Sequence, residues 1–125
     1  MAKLLDSLVV QEEPFEIIIV DAKSTDNTRE IVKKYAEKYK NIKLFVHPGS
    51  RGEGRNYGVK HAIGDFIAFT DGGCWAEKDW LKELRSRIKE GFDVVAGKTI
   101  NEGPFKDIER VEIYYKGCLL YTSDA

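Results

Sequence analysis

The chain has 125 residues, 42% hydrophobic and 33% charged, with 20 basic against 21 acidic side chains and a net charge of -1. That apolar content supports one packed domain over residues 1–125, and the charge balance argues against disorder and gives no global reason to expect nucleic acid or an anionic membrane as partner. No run approaches the roughly 18 consecutive apolar residues of a membrane span, and the first residues lack a secretory h-region, so a cytoplasmic protein is expected.

In chain order, residues 2–10 place Leu4, Leu5, Leu8 and Val9 on one helical face. Gln11 to Pro14 reads as a polar break. Phe15-Glu-Ile-Ile-Ile-Val20 is a β-branched run, the mark of a strand buried on both sides. A turn over 21–26 follows, in which Ser24, Thr25 and Asp26 are candidate caps for a helix running to about Tyr39. That helix shows Ile31, Val32, Tyr35, Ala36 and Tyr39 on one face. Ile42–Val46 is a second strand, stopped by His47-Pro-Gly49.

The loop Ser50–Gly54 leads into a helix over roughly Arg55–Ile63, closed by Gly64. Phe66–Thr70 is a third buried strand, ending at Asp71. Glu77 to about Glu90 is amphipathic, with Trp80, Leu81, Leu84 and Ile88 inward, and Gly91 ends it. Asp93–Gly97 begins a fourth strand, and beyond Asn101 the pattern blurs. Alternating strands and helices predict an α/β fold with a mostly parallel sheet and helices on both faces. Cys74 and Cys118 form no CxxC and have no nearby histidine, which excludes a standard zinc pattern.

Ligands of open α/β sheets bind at the carboxyl ends of the strands. After the first strand stands Asp21. After the second stand Arg51 and Arg55, among Gly49, Gly52 and Gly54. After the third stands Asp71, followed by Gly72 and Gly73. A carboxylate suits a base or ribose, the cations and flexible backbone suit phosphate, and the last carboxylate suits a metal-bound diphosphate. Together they suggest a nucleoside diphosphate ligand. Each piece also has a plain structural reading: Asp21 as turn former, the glycines as punctuation, Arg51 and Arg55 as solvated charges. The loop is neither G-x-G-x-x-G nor a P-loop. His47 and His61 lack metal spacing and read as structural or exposed, and Tyr35, Tyr39, Trp75 and Trp80 read as packing residues.

The stretch from Phe15 to Thr28 resembles the signature of family 2 glycosyltransferases, a hydrophobic strand followed by V-D-D-G-S-T-D-x-T. Residues 54–71, GRNYGVKHAIGDFIAFTD, are similar to that family's A-R-N-x-G-x-x-x-A-x-G-x-[YF]-I-x-F-x-D. Asp79-Trp-Leu81 matches its D-W-L helix, and 93–97 its next strand. The order and spacing agree over about residues 2–100. The resemblance implies a partial GT-A, Rossmann-like domain for nucleotide-diphospho-sugars. It implies that Asp21 faces the base with Ser24 close by, and that Arg55 lies near base or diphosphate. Asp71 becomes the first acid of a D-x-D motif, near the ribose and the metal. The donor would be a UDP- or GDP-sugar, with Mg²⁺ or Mn²⁺ on the diphosphate, passed to an acceptor hydroxyl with inversion.

Four departures qualify what the resemblance implies. Ala22 stands where a second Asp is common. Gly73 stands at the second acid of D-x-D, so metal binding is expected to be weakened. The family's first strand, expected mid-sheet before the 2–10 helix, has no counterpart in residues 1–125. The acceptor half and its base, expected after about residue 100, have only some 25 residues here, and Asp107, Glu109 and Glu112 are left unassigned. A sheet lacking an internal strand would expose unpaired backbone, so a homodimer or larger homo-oligomer is expected. Three functions stay open: an active inverting transferase, a binding module without turnover, and a structural fragment completed by a partner chain.

Overall fold

A computed structural model describes residues 1–70, 73–100 and 109–115. In chain order the elements are α1 (Ala2–Leu8), β1 (Ile17–Asp21), α2 (Thr28–Lys38), β2 (Ile42–Val46), α3 (Arg51–His61), α4 (Trp80–Lys89), β3 (Val94–Ile100) and β4 (Glu109–Tyr115). The fold is α/β, as expected for a partial GT-A domain. β1 and β2 pair in parallel, in register from Ile17 opposite Ile42 to Asp21 opposite Val46. β3 and β4 pair antiparallel, with Val94 opposite Tyr115 and Ile100 opposite Glu109.

Period-2 alternation along β1 sends its side chains to two helical layers. Ile17 and Ile19 face the core formed by Leu4, Leu5 and Leu8 of α1 and Val32 of α2. Ile18 and Val20 face α3, whose glycines let it come close: a Cβ at Gly58 would stand 3.3 Å from Val20 Cγ2 and 3.6 Å from Ile18 Cγ2. Helices therefore cover both faces of β1. Leu5 and Val32 are fully buried, which makes the α1–α2–β1 junction the centre of the core.

The segment predicted as a polar break is in part internal. Gln11 is buried. Its Nε2 donates to the Ser7 carbonyl at 3.0 Å and the Glu77 carbonyl at 2.8 Å, and its Oε1 accepts from the Leu81 N–H at 2.9 Å. Ser7 Oγ accepts from the Ala76 N–H at 2.9 Å and donates to the Leu4 carbonyl. These two side chains at the end of α1 therefore anchor the turn before α4. Arg85 of α4 completes the attachment, donating to the carbonyls of Glu12 and Pro14.

Two predicted elements differ. α3 begins at Arg51 rather than Arg55, because Ser50 caps it: the Ser50 hydroxyl accepts from the Glu53 N–H at 3.2 Å. The supposed flexible loop is its first turn. Residues 66–70 form no strand. Ile17 N–H donates to Asn41 O at 2.9 Å and His47 N–H to Asp21 O at 2.8 Å. The odd residues of β1 thus bond toward β2, and the peptide groups of Ile18 and Val20 point to the opposite edge. Along that edge runs a cavity of about 680 Å³, with β1 as one wall and residues 66–70 as the other. With this space between them, the two segments are not paired. Gly64 is not a left-handed cap either. Its N–H and that of Ile63 are taken by the Glu16 carboxylate at 3.2 and 2.7 Å. Gly91 does end α4, at φ +104°.

Candidate functional site

At the carboxyl end of β1 the chain must leave the sheet and enter α2. Lys23 turns it, in the left-handed region at φ 60°. Asp21 organises the turn. It lies on the Ile17 and Ile19 face of β1 and is 7% exposed. Its Oδ1 accepts from the Ser24 hydroxyl at 2.6 Å, and its Oδ2 from the Ser24 N–H at 3.1 Å. Arg29, from the first turn of α2, sets its Nε 3.4 Å from the same Oδ2 and donates through Nη2 to the Ser24 carbonyl at 3.2 Å. Both carboxylate oxygens are thus engaged within the protein. Asp26 accepts from the Thr28 N–H at 3.0 Å at the start of α2, and hydrogen bonding from Thr28 holds its carboxyl below the usual range.

Asp21 and Ser24, predicted to share a pocket, are in contact. The cavity lining at this strand end is Ala22, not the Asp21 carboxylate. Its lining continues through His47, Gly49, Ser50 and Arg51 to Gly54 and Arg55. Arg55 is half-buried and Arg51 exposed. Both stand in the first turns of α3, where the helix dipole favours an anion. Gly49 is needed at the entry: its φ is +141°, and a side chain there would collide with the Glu53 carboxylate.

Above this entry sits an aromatic stack that the sequence reading missed. His47 lies 4.2 Å from Tyr57 with the rings 15° from parallel, and His61 lies 4.4 Å from Tyr57 on α3. Phe45 touches His61 at 4.6 Å. The i, i+4 spacing of Tyr57 and His61 was the available signal. The stack fixes the end of β2 against α3, and so the position of the cavity mouth.

Asp71 lies outside the described residues, as does Asp107. Gly73 is described, and a Cβ there would meet nothing within 4 Å. Among the described residues no three His, Cys, Asp or Glu side chains converge as a metal site requires, and Gly73 supplies no carboxylate. The described residues do not by themselves fit a divalent cation. Glu109 and Glu112 belong to β4, opposite Ile100 and Gly97. Among the described residues no helix is long and apolar enough to cross a membrane.

Comparison with known proteins places this arrangement. The chain is 33% identical over 136 aligned positions to the Staphylococcus aureus poly(ribitol-phosphate) beta-N-acetylglucosaminyltransferase TarS, covering 98% of this chain and 24% of that protein. It is 32% identical to the Haloferax volcanii glycosyltransferase AglE, over 76% of this chain and 33% of that protein. It is 36% identical to a Bacillus spizizenii poly(ribitol-phosphate) beta-glucosyltransferase, over 78% of this chain and 17% of that protein. The chain therefore spans a third or less of the length of these relatives. Residues 1–115 match the profile of glycosyl transferase family 2, and to that family the chain belongs.

Proposed function

We propose that this chain is the donor-binding part of a glycosyltransferase that takes a nucleoside-diphosphate sugar, UDP- or GDP-linked, for inverting transfer to an acceptor hydroxyl. The observation that carries the reading is the cavity mouth at α3, where Arg51 and Arg55 stand over the helix start beside Ala22 and His47. A diphosphate gains there from two guanidinium groups and from the helix N-terminus together. The same charges stabilise the leaving diphosphate as the sugar departs, the step that most needs electrostatic help. Family membership supports a nucleotide-sugar donor. Two of the relatives are named for transfer of N-acetylglucosamine or glucose, so donors of these two sugars head the list.

A second reading, binding without turnover, is favoured by Gly73, which lacks the acid expected at its position. Inverting transfer also needs a base within roughly 2.6–3.2 Å of the acceptor hydroxyl, and the resemblance expects that base after about residue 100. The test is a panel of UDP- and GDP-sugars in which release of nucleoside diphosphate is followed with and without generic acceptors. Slow hydrolysis of the donor, lost in Arg55→Ala, is expected. Unchanged release in Arg55→Ala would remove the diphosphate from α3. Transfer at about 1 s⁻¹ or faster, inside the ordinary enzyme range, would put the acceptor machinery within these 125 residues and rule out the second reading.

A further inference from the structure

We infer that Arg29 is a positioning residue of the donor site, acting through Asp21 and the Ser24 carbonyl to fix the loop between β1 and α2. The inference rests on the donor-site reading above. Its starting point is which of two adjacent residues reaches the cavity. Asp21 points to the α2 side of β1, while the cavity mouth is lined by Ala22, its neighbour in the chain. Asp21 therefore acts on the mouth by shaping backbone, not by reaching a ligand.

That shaping has a weak point. Lys23 sits at φ 60°, a region a lysine adopts only when its surroundings hold it there. The holding contacts converge on Ser24: its hydroxyl and N–H donate to Asp21, and its carbonyl accepts from Arg29. Arg29 closes the ring by standing 3.4 Å from Asp21 Oδ2. A guanidinium can serve the carboxylate with Nε and the carbonyl with Nη2 at once, since its donors diverge in a fixed plane. A lysine ammonium offers the charge without that fork. Arg29 also compensates the buried Asp21 charge, which would otherwise oppose a diphosphate nearby. The side chain is 37% exposed. Its truncation leaves no cavity in the core, so its effect on the loop is separable from an effect on the fold.

The experiment measures UDP and GDP affinity by calorimetry for the wild-type chain, Asp21→Asn, Arg29→Ala, Arg29→Lys and the double variant Asp21→Asn/Arg29→Ala. Urea midpoints are recorded for each. Arg29→Ala is expected to raise Kd roughly tenfold, in the range for contacting, coupled pairs, by more than its shift in urea midpoint accounts for. Arg29→Lys is expected to recover only part of the affinity. The double variant is expected to bind no more weakly than the worse single change. Wild-type binding with Arg29→Ala or Arg29→Lys at unchanged Kd overturns the inference and leaves the donor site standing. Full recovery by Arg29→Lys also overturns it, since charge alone would then suffice. Failure of the wild-type chain to bind either nucleotide removes the donor site and this inference together.

Discussion

Gln11→Met is the substitution that most sharply tests how the fold is assembled. Methionine keeps the length and most of the volume of glutamine but makes none of its hydrogen bonds. Gln11 is 5% exposed, and its amide joins three backbone groups: the carbonyls of Ser7 and Glu77 and the N–H of Leu81. Each bond contributes about 0.5–1.5 kcal/mol net, and a buried group left without a partner costs about 1–3 kcal/mol. Three bonds at one site are not additive. The Ser7 carbonyl lies in the last turn of α1, where no helical N–H follows to pair with it, so it loses its bond from Gln11 outright. The Glu77 carbonyl also accepts from the Trp80 N–H at 3.0 Å, so it is not orphaned. The Leu81 N–H is the group most exposed to the loss. The expected cost is therefore about 2–4 kcal/mol, from one orphaned donor, one orphaned acceptor and one weakened acceptor. For a domain near 100 residues each kcal/mol lowers Tm by roughly 4–8 °C. The assay is urea unfolding followed by tryptophan fluorescence, which senses Trp80 directly. A loss below about 0.5 kcal/mol, the ordinary surface value, would refute the claim that α1 anchors α4 through this amide.

Three further outcomes are expected. Partial burial pushes the Glu16 carboxyl up, but hydrogen bonds from the Ile63 and Gly64 N–H groups and from Lys43 outweigh it and hold the group below the usual range. A carboxyl lowered in the folded state stabilises above its unfolded value, near 4.3, and that stability is lost as pH falls through the lower folded value. Wild type should lose stability more steeply than Glu16→Gln between about pH 5 and pH 3, and parallel curves would remove Glu16 as the cause. Gly73→Asp should fold normally, since its side chain enters open space, and should tighten Mg²⁺ or Mn²⁺ binding in the presence of nucleoside diphosphate; no change by calorimetry would show that this position is not the second acid of the motif. The open edge of β1 presents the peptide groups of Ile18 and Val20 beside an apolar cavity, a template for strand pairing. Light scattering should show a dimer or larger species at micromolar concentration, and a clean monomer would count against it.

Much of this fold is legible in the residues because the signals are local. The β-branched run before Asp21 can only be a strand covered on both sides, and helices do cover both its faces. Leu4, Leu5 and Leu8 mark the inward face of α1, and Gly91 marks the end of α4, where it takes up φ +104°. What sequence reading missed depends on distant partners. Gln11 looks like a loop residue until the Glu77 carbonyl and Leu81 N–H, some 70 positions away, are placed against it. Residues 66–70 have the composition of a strand, but the cavity separates them from β1. β4 was readable in principle, since Val111, Ile113 and Tyr115 alternate with Arg110, Glu112 and Tyr114, but the pattern is too short to separate from a charged helix.

The candidate site follows the same division. Asp21 and Ser24 are in contact as their spacing suggests, because a carboxylate and a hydroxyl three residues apart close a turn almost unaided. Which side of β1 the carboxylate faces is set by the parity of the strand. The carboxylate goes to Ser24 and Arg29, and Ala22, just past the strand, lines the cavity. Arg29 reads as a surface helix residue, and only the turned loop brings it to Asp21. The family signature marks the right strand ends, while the roles within them are decided by packing.

Titration of the wild-type chain and Arg55→Ala with UDP and GDP, read as the shift in thermal unfolding, tests the central claim most directly. A ligand that binds only the folded state adds roughly 2.7 kcal/mol at a hundredfold excess over its dissociation constant, enough for a rise in Tm of several degrees in a chain of this size. The account predicts that rise for the wild-type chain with at least one of the two nucleotides, and its loss in Arg55→Ala. No shift with either nucleotide at millimolar concentration, or an equal shift in both proteins, would contradict it.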